Sequence, residues 1–160
     1  MKRRLWALSL VVLLASSVWG QVASSPRLGV GGSFNVNLGT PMVDFFYEIP
    51  SGEHAAIRFG AGILAVVQGA AAVSLDASYL LLPKVEGLQP YFGGGVGALV
   101  ALGAGLAQGN LTVNGVGGVF WPLSPTFGLY GQVRLLGLVD LATLGFAALI
   151  MPGVGLYVAF

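Results

Sequence analysis

Hydrophobic and polar residues alternate along several stretches of the chain, most clearly in RLGVGGSFNVNL, residues 27–38. Every second position from Leu28 to Leu38 is apolar or glycine, whereas the positions between them hold Arg27, glycine, serine and asparagine. Because successive side chains of a β-strand point to opposite faces, this pattern predicts a strand with one apolar face and one polar or small face.

The same period of two recurs in VDFFYEI and FGLYGQVRL and, less regularly, in five further segments. Together these segments predict eight strands, at residues 27–38, 42–49, 55–67, 70–82, 89–101, 110–121, 126–138 and 146–160. Their lengths suit tilted strands, which need about 9–11 residues to cross the hydrocarbon layer of a membrane.

The composition indicates that lipid is the solvent of this chain. Of the 160 residues, 56% are hydrophobic and 8% are charged, and the mean hydropathy is +0.85. In lipid every backbone donor and acceptor must be paired within the protein, so spanning strands must close into a barrel. The predicted fold is therefore all-β, an eight-stranded antiparallel transmembrane β-barrel with both ends of the barrel domain on one side.

Spanning helices are the alternative fold. The best candidate is GGGVGALVALGAGLA, residues 93–107, which is rich in glycine and shorter than the roughly 18 residues expected of a spanning helix. Other apolar runs are interrupted by prolines or charged residues before they reach that length. A polytopic helical membrane protein of unknown activity is therefore the less favoured interpretation.

The first 20 residues, MKRRLWALSLVVLLASSVWG, have the order of a secretory signal peptide: a basic start, an apolar run and small residues. We predict a signal peptide at 1–20, cleaved before Gln21, and a barrel domain at 21–160. An N-terminal membrane anchor is the alternative, but the apolar run is shorter than the roughly 20 residues that a spanning helix needs. Without this segment the chain has four basic and six acidic residues, which argues against nucleic acid as a partner.

The alternation predicts which polar side chains face the barrel interior. The charged inward residues would be Arg27, Asp44, Glu48, Arg58, Asp76 and Arg134, together with Ser33, Asn35, Asn37, Ser74, Ser78, Thr112, Asn114 and Gln132. An eight-stranded barrel is just wide enough to be filled by its own side chains, and arginine forms bidentate pairs with carboxylates. We therefore expect a charge network that plugs the lumen. A narrow ion path is the alternative, because inward glycines could leave room unless bulky neighbouring rings fold over them.

Aromatic residues concentrate at one predicted end of the barrel. Of fifteen in residues 21–160, thirteen lie near the proline-bearing connections PSGEH, PKVEGLQ and PLSPT or near Phe160. Aromatic rings favour the boundary between headgroups and hydrocarbon, so this distribution predicts an interfacial girdle at that end.

The last residues, GVGLYVAF, resemble the sorting signal of bacterial outer-membrane barrels, with Phe160 as the terminal aromatic, Val158 two residues before it and Gly155 upstream. The segment LPKVEGLQPYFGGGVG is similar to small OmpA-type and OmpX-type barrels. This resemblance implies a location in the cell outer membrane, contact with outer-membrane lipids and recognition by the barrel-assembly machinery. Gly153 stands where the family usually has a polar residue.

Nothing in the sequence indicates catalysis. The chain has no cysteine, and its one histidine, His54, lies beside Glu53 in a short predicted turn. We therefore predict no catalytic, cofactor-binding or metal-binding residue and no enzyme activity. The expected role is structural, in the integrity of the cell envelope. The alternative is a porin-like, low-conductance pore or a path for small molecules.

Overall fold

A computed structural model describes residues 25–65, 71–83, 85, 87–103, 106–140 and 145–160. The predicted signal peptide lies outside these residues. The described residues form eight strands: β1 (Arg27–Asn35), β2 (Thr40–Pro50), β3 (Ala55–Ala65), β4 (Ala71–Leu81), β5 (Gln89–Gly103), β6 (Leu106–Pro122), β7 (Phe127–Asp140) and β8 (Gly145–Ala159).

Each strand pairs antiparallel with its neighbours in the sequence, and β1 also pairs with β8, so the sheet closes into a barrel. The closing seam runs from the pair Arg27 and Ala159 to the pair Ser33 and Gly153. At the same end the Phe160 N–H donates a hydrogen bond to the Pro26 carbonyl, at 3.2 Å. We call this the Phe160 end; the connections at 51–54 and 123–126 also lie there, as do the end of β4 at Leu81 and the start of β5 at Gln89.

The predicted eight-stranded barrel is confirmed, and the helical alternative is wrong for the described residues. None of the described residues belongs to a helix long and apolar enough to cross a membrane.

The strand boundaries differ from the prediction mainly at the end of the barrel opposite Phe160. The first strand ends at Asn35 rather than at residue 38, because the Asn35 side chain accepts the backbone N–H groups of Asn37 and Leu38, at 3.0 and 3.1 Å. Gly39 completes this turn with a φ of 66°, which favours glycine. By contrast, β5 continues two residues past its predicted end at residue 101, and β6 begins four residues before its predicted start at residue 110.

The outer surface of the barrel is apolar along every strand. Leu28 and Val158, which pair across the β1–β8 seam, are 55% and 47% exposed, and leucine, isoleucine, valine and phenylalanine occupy most other outward positions. Water would not favour so large a continuous apolar surface, whereas the hydrocarbon of a membrane would.

Candidate functional site in the barrel interior

All six charged residues predicted to face inward are buried in the barrel interior: Arg27, Asp44, Glu48, Arg58, Asp76 and Arg134. Seven of the eight predicted polar companions are buried with them: Ser33, Asn35, Ser74, Ser78, Thr112, Asn114 and Gln132. The eighth prediction, Asn37, is wrong. Asn37 is exposed in the turn after β1, where its side-chain oxygen accepts the Ile150 N–H at 2.9 Å.

Near the Phe160 end, two arginines share one carboxylate. Arg58 donates to Glu48 Oε2 from Nε and Nη2, at 3.1 and 2.9 Å, and Arg27 Nη1 donates to Glu48 Oε1 at 3.0 Å. The remaining donors find neutral partners, since Arg58 Nη1 donates to Gln132 Oε1 at 3.1 Å and Arg27 Nη2 donates to Gln89 Oε1. Charge-assisted hydrogen bonds therefore compensate the burial of these three charges.

Aromatic rings enclose both arginines. The Arg58 guanidinium lies between Phe46 and Tyr91, with its carbon 4.3 and 4.5 Å from the two ring centroids, and Arg27 lies 4.4 Å from the centroid of Phe120. Such cation–π contacts gain strength where water is excluded. We call the five inward rings the aromatic layer: Phe46, Tyr91, Phe120, Tyr130 and Tyr157.

The prediction that the aromatic residues form a girdle is therefore only partly right. The five residues of the aromatic layer point into the interior, where each is at most 5% exposed. The other eight residues near this end point outward: Phe45, Tyr47, Phe59, Tyr79, Phe92, Trp121, Phe127 and Phe160. Position along a strand sets the depth of a ring, but the alternation of the strand decides which side of the wall it lies on.

Inward glycines make room for the aromatic layer. A Cβ atom on Gly29 would lie 2.2 Å from the Phe46 ring, and one on Gly128 would lie 2.6 Å from the Tyr157 ring. A Cβ atom on Gly118 would likewise lie 2.6 Å from the Tyr91 side chain. These glycines are covered by rings, as one of the two sequence-based alternatives expected, and the space above them is not open to solvent.

The middle of the interior holds a polar ring, formed by Ser33, Asp44, Ser74, Asp76, Ser78, Asn114 and Arg134. Arg134 Nη1 lies 3.3 Å from Asp76 Oδ2, and Ser78 donates to Asn114 Oδ1 at 2.9 Å. Several buried atoms of this ring have no hydrogen-bond partner, among them Ser74 Oγ and Asn114 Nδ2. The polar ring is thus less completely paired than the group of Arg27, Arg58 and Glu48 nearer the Phe160 end, which we call the arginine cluster.

The interior beyond the polar ring is mostly apolar, which the sequence analysis missed, although Asn35 and Thr40 are also buried toward that end. Seven buried side chains form what we call the apolar collar: Met42, Leu64, Ala72, Leu99, Leu136, Leu149 and Met151. The alternation of β2 and β8 marks Met42, Leu149 and Met151 as inward-facing residues, but the sequence-based assignment of the interior included only polar residues. The collar separates the polar ring from the end of the barrel opposite Phe160.

His54 and Glu53 lie in the connection between β2 and β3, both well exposed, with their side chains 3.9 Å apart. Among the described residues no group of three or more histidine, aspartate or glutamate side chains is arranged to hold a metal ion.

The closed wall of eight strands, its apolar outside and its packed polar interior define a small transmembrane β-barrel. Comparison with protein-family models finds no match, and comparison with curated proteins finds none either. Solved structures, however, share the fold.

The N-terminal β-barrel domain of Pseudomonas aeruginosa OprF is 16% identical, with a TM-score of 0.67, over 88% of this chain and 100% of that domain. Neisserial surface protein A is 13% identical, with a TM-score of 0.66, over 85% of this chain and 95% of its own. The outer membrane protein OprG of Pseudomonas aeruginosa is 12% identical, with a TM-score of 0.60, over 88% of this chain and 98% of its own. At such identities the likeness concerns the fold, which is that of small bacterial outer-membrane barrels.

Proposed function

We propose that this protein is an integral β-barrel of the bacterial outer membrane whose lumen is plugged by its own side chains and whose role is structural, in the integrity of the cell envelope. The observation that carries the proposal is the filling of the interior in three successive layers, aromatic, polar and apolar. A lumen packed in this way offers no continuous aqueous path, because the aromatic layer and the apolar collar flank the polar ring.

The proposed location is supported by the apolar outer surface and by the likeness in fold to an outer membrane protein such as OprG. Export by the predicted signal peptide and recognition of Gly155, Val158 and Phe160 by the barrel-assembly machinery belong to the same proposal. The partners would then be outer-membrane lipids and, during assembly, that machinery. The proposed role involves no enzyme activity and no nucleic acid.

The second candidate is a narrow, low-conductance pore or a path for small molecules. The apolar collar favours apolar molecules over ions as its cargo, since moving an ion past buried leucine and methionine side chains is costly.

Conductance of the refolded protein in a planar lipid bilayer tests the plugged lumen. We expect only rare and small openings for the wild type and for Phe92→Ala, which removes an outward ring. Phe120→Ala should open more often, because Phe120 is fully buried against Tyr91, Tyr157 and Arg27. Steady ion conductance of the wild type would contradict the plugged lumen and favour the pore.

A further inference from the structure

The polar ring contains one more carboxylate than guanidinium. Arg134 is paired with Asp76, whereas Asp44, which is 4% exposed, forms no ion pair with any basic side chain in the described part of the chain. The ring therefore carries a formal charge of about −1 in a buried setting, where an unpaired carboxylate is costly.

The arginine cluster near the Phe160 end has the opposite excess, two guanidiniums for one carboxylate, but it does not neutralise Asp44 by contact. Arg58 and Arg27 direct their donors to Glu48, Gln132 and Gln89. Neither guanidinium contacts Asp44, so the Asp44 oxygen atoms have no ion-pair partner in the described part of the chain.

A second observation concerns the atoms around Asp44. Ser74, 2% exposed, and Asp44 lie on either side of Gly62 of β3, which pairs with both: the position of a Cβ atom on Gly62 would be 2.8 Å from Ser74 Oγ and 3.2 Å from Asp44 Oδ1. Ser74 Oγ has no hydrogen-bond partner. Ser33, on the neighbouring strand β1, adds a hydroxyl beside Asp44. The Met42 methyl group covers Gly62 from the side of the apolar collar.

We propose that the polar ring binds one small monovalent metal cation, Na⁺ or K⁺, through the Asp44 carboxylate and the hydroxyl oxygens of Ser74 and Ser33. Carboxylate and hydroxyl oxygens are hard ligands that suit such ions. A monovalent cation would balance the one excess negative charge of the polar ring. A divalent cation would instead leave one excess positive charge beside Arg134. This inference does not depend on the proposed envelope role, because a structural barrel and a pore could both hold such an ion.

The test compares thermal stability of the refolded protein in NaCl, KCl and choline chloride at equal ionic strength, read as the temperature at which the compact, unboiled form is lost on a gel. For the wild type we expect a midpoint at least about 3 °C higher in NaCl or KCl than in choline chloride, because a ligand that binds only the folded state stabilises it. Glu53→Gln, which removes an exposed charge, should behave as the wild type does.

Asp44→Asn should abolish the difference between the salts. Equal midpoints of the wild type in all three salts would overturn the proposal, since water or a proton would then satisfy Asp44. A dependence on Na⁺ or K⁺ that persists in Asp44→Asn would overturn it as well.

If Asp44→Asn does not fold, Ser74→Ala keeps the proposal testable, because it removes an oxygen and leaves the charge unchanged. We expect the cation concentration needed for half of the stabilisation to rise about tenfold, and an unchanged concentration would overturn the assignment of Ser74. Crystals grown with Tl⁺ should show an anomalous peak between Asp44 and Ser74, and the absence of a peak there would also overturn the proposal.

Discussion

Arg58→Leu is expected to lower the free energy of unfolding by about 3–5 kcal/mol, the usual cost of removing one partner of a buried ion pair. The substitution leaves Glu48 Oε2 without the two hydrogen bonds that Arg58 donates, in an interior where Glu48 is 2% exposed. It also removes the cation between the rings of Phe46 and Tyr91. The measurement is urea unfolding of the protein refolded in lipid vesicles.

The matched control for Arg58→Leu is Glu53→Gln. Glu53 has an 82% exposed side chain, and its contact with His54 is long, at 3.9 Å, so its loss should change the free energy of unfolding by less than about 0.5 kcal/mol. Arg134→Leu should behave like Arg58→Leu, because it leaves Asp76 unpaired beside Asp44. Equal tolerance of all three substitutions would contradict the proposed charge network.

Gly95→Ala is expected to cost about 3 kcal/mol, at the upper end of the range for overpacked sites. A Cβ atom on Gly95 would lie 2.0 Å from the Ala77 carbonyl oxygen and 2.6 Å from the Ser78 Cα atom. Both contacts are with the backbone of β4, which cannot move aside as a flexible side chain can. The measurement is the same unfolding experiment, together with the yield of refolded barrel.

Gly115→Ala provides the comparison for Gly95→Ala. Gly115 lies on the adjacent strand β6 with its missing side chain directed outward, and the nearest atom to a Cβ there is the Gly93 carbonyl oxygen, at 4.0 Å. Because glycine within a strand destabilises that strand, this substitution should leave the free energy of unfolding unchanged or raise it slightly. If Gly115→Ala proved as damaging as Gly95→Ala, the tight approach of β4 and β5 would not explain the effect.

The fold was predictable because the sequence obeys two strong constraints at once. Lipid on the outside requires apolar residues at every second position, as in Leu28, Val30 and Phe34 of β1, and the pairing of all backbone groups requires a closed wall. The same alternation placed the charged residues, so that Arg27, Glu48 and Arg58 could be assigned to the interior before their contacts were known.

The contacts themselves could not be predicted, because they depend on the stagger between strands. Arg58 and Gln132 are 74 residues apart in the sequence and meet only when the barrel closes. The aromatic layer was missed for a different reason: Phe46 and Tyr130 have inward parity, but an aromatic residue near a membrane boundary satisfies the girdle rule equally well. Local hydrogen bonds also decided one boundary, where the Asn35 side chain turns the chain away from the strand before Asn37.

Cysteine labelling on β4 tests most directly whether alternate residues face lipid and a closed interior, since the chain has no cysteine of its own. Leu75 and Ala77 point outward, whereas Ser74 and Ser78 point inward and are nearly isosteric with cysteine. In the refolded protein in vesicles, a lipid-soluble maleimide should label Leu75→Cys and Ala77→Cys, and no maleimide should label Ser74→Cys or Ser78→Cys until the protein is unfolded. Equal labelling at all four positions, or labelling of Leu75→Cys and Ala77→Cys by a water-soluble maleimide, would contradict a lipid-facing wall around a filled interior.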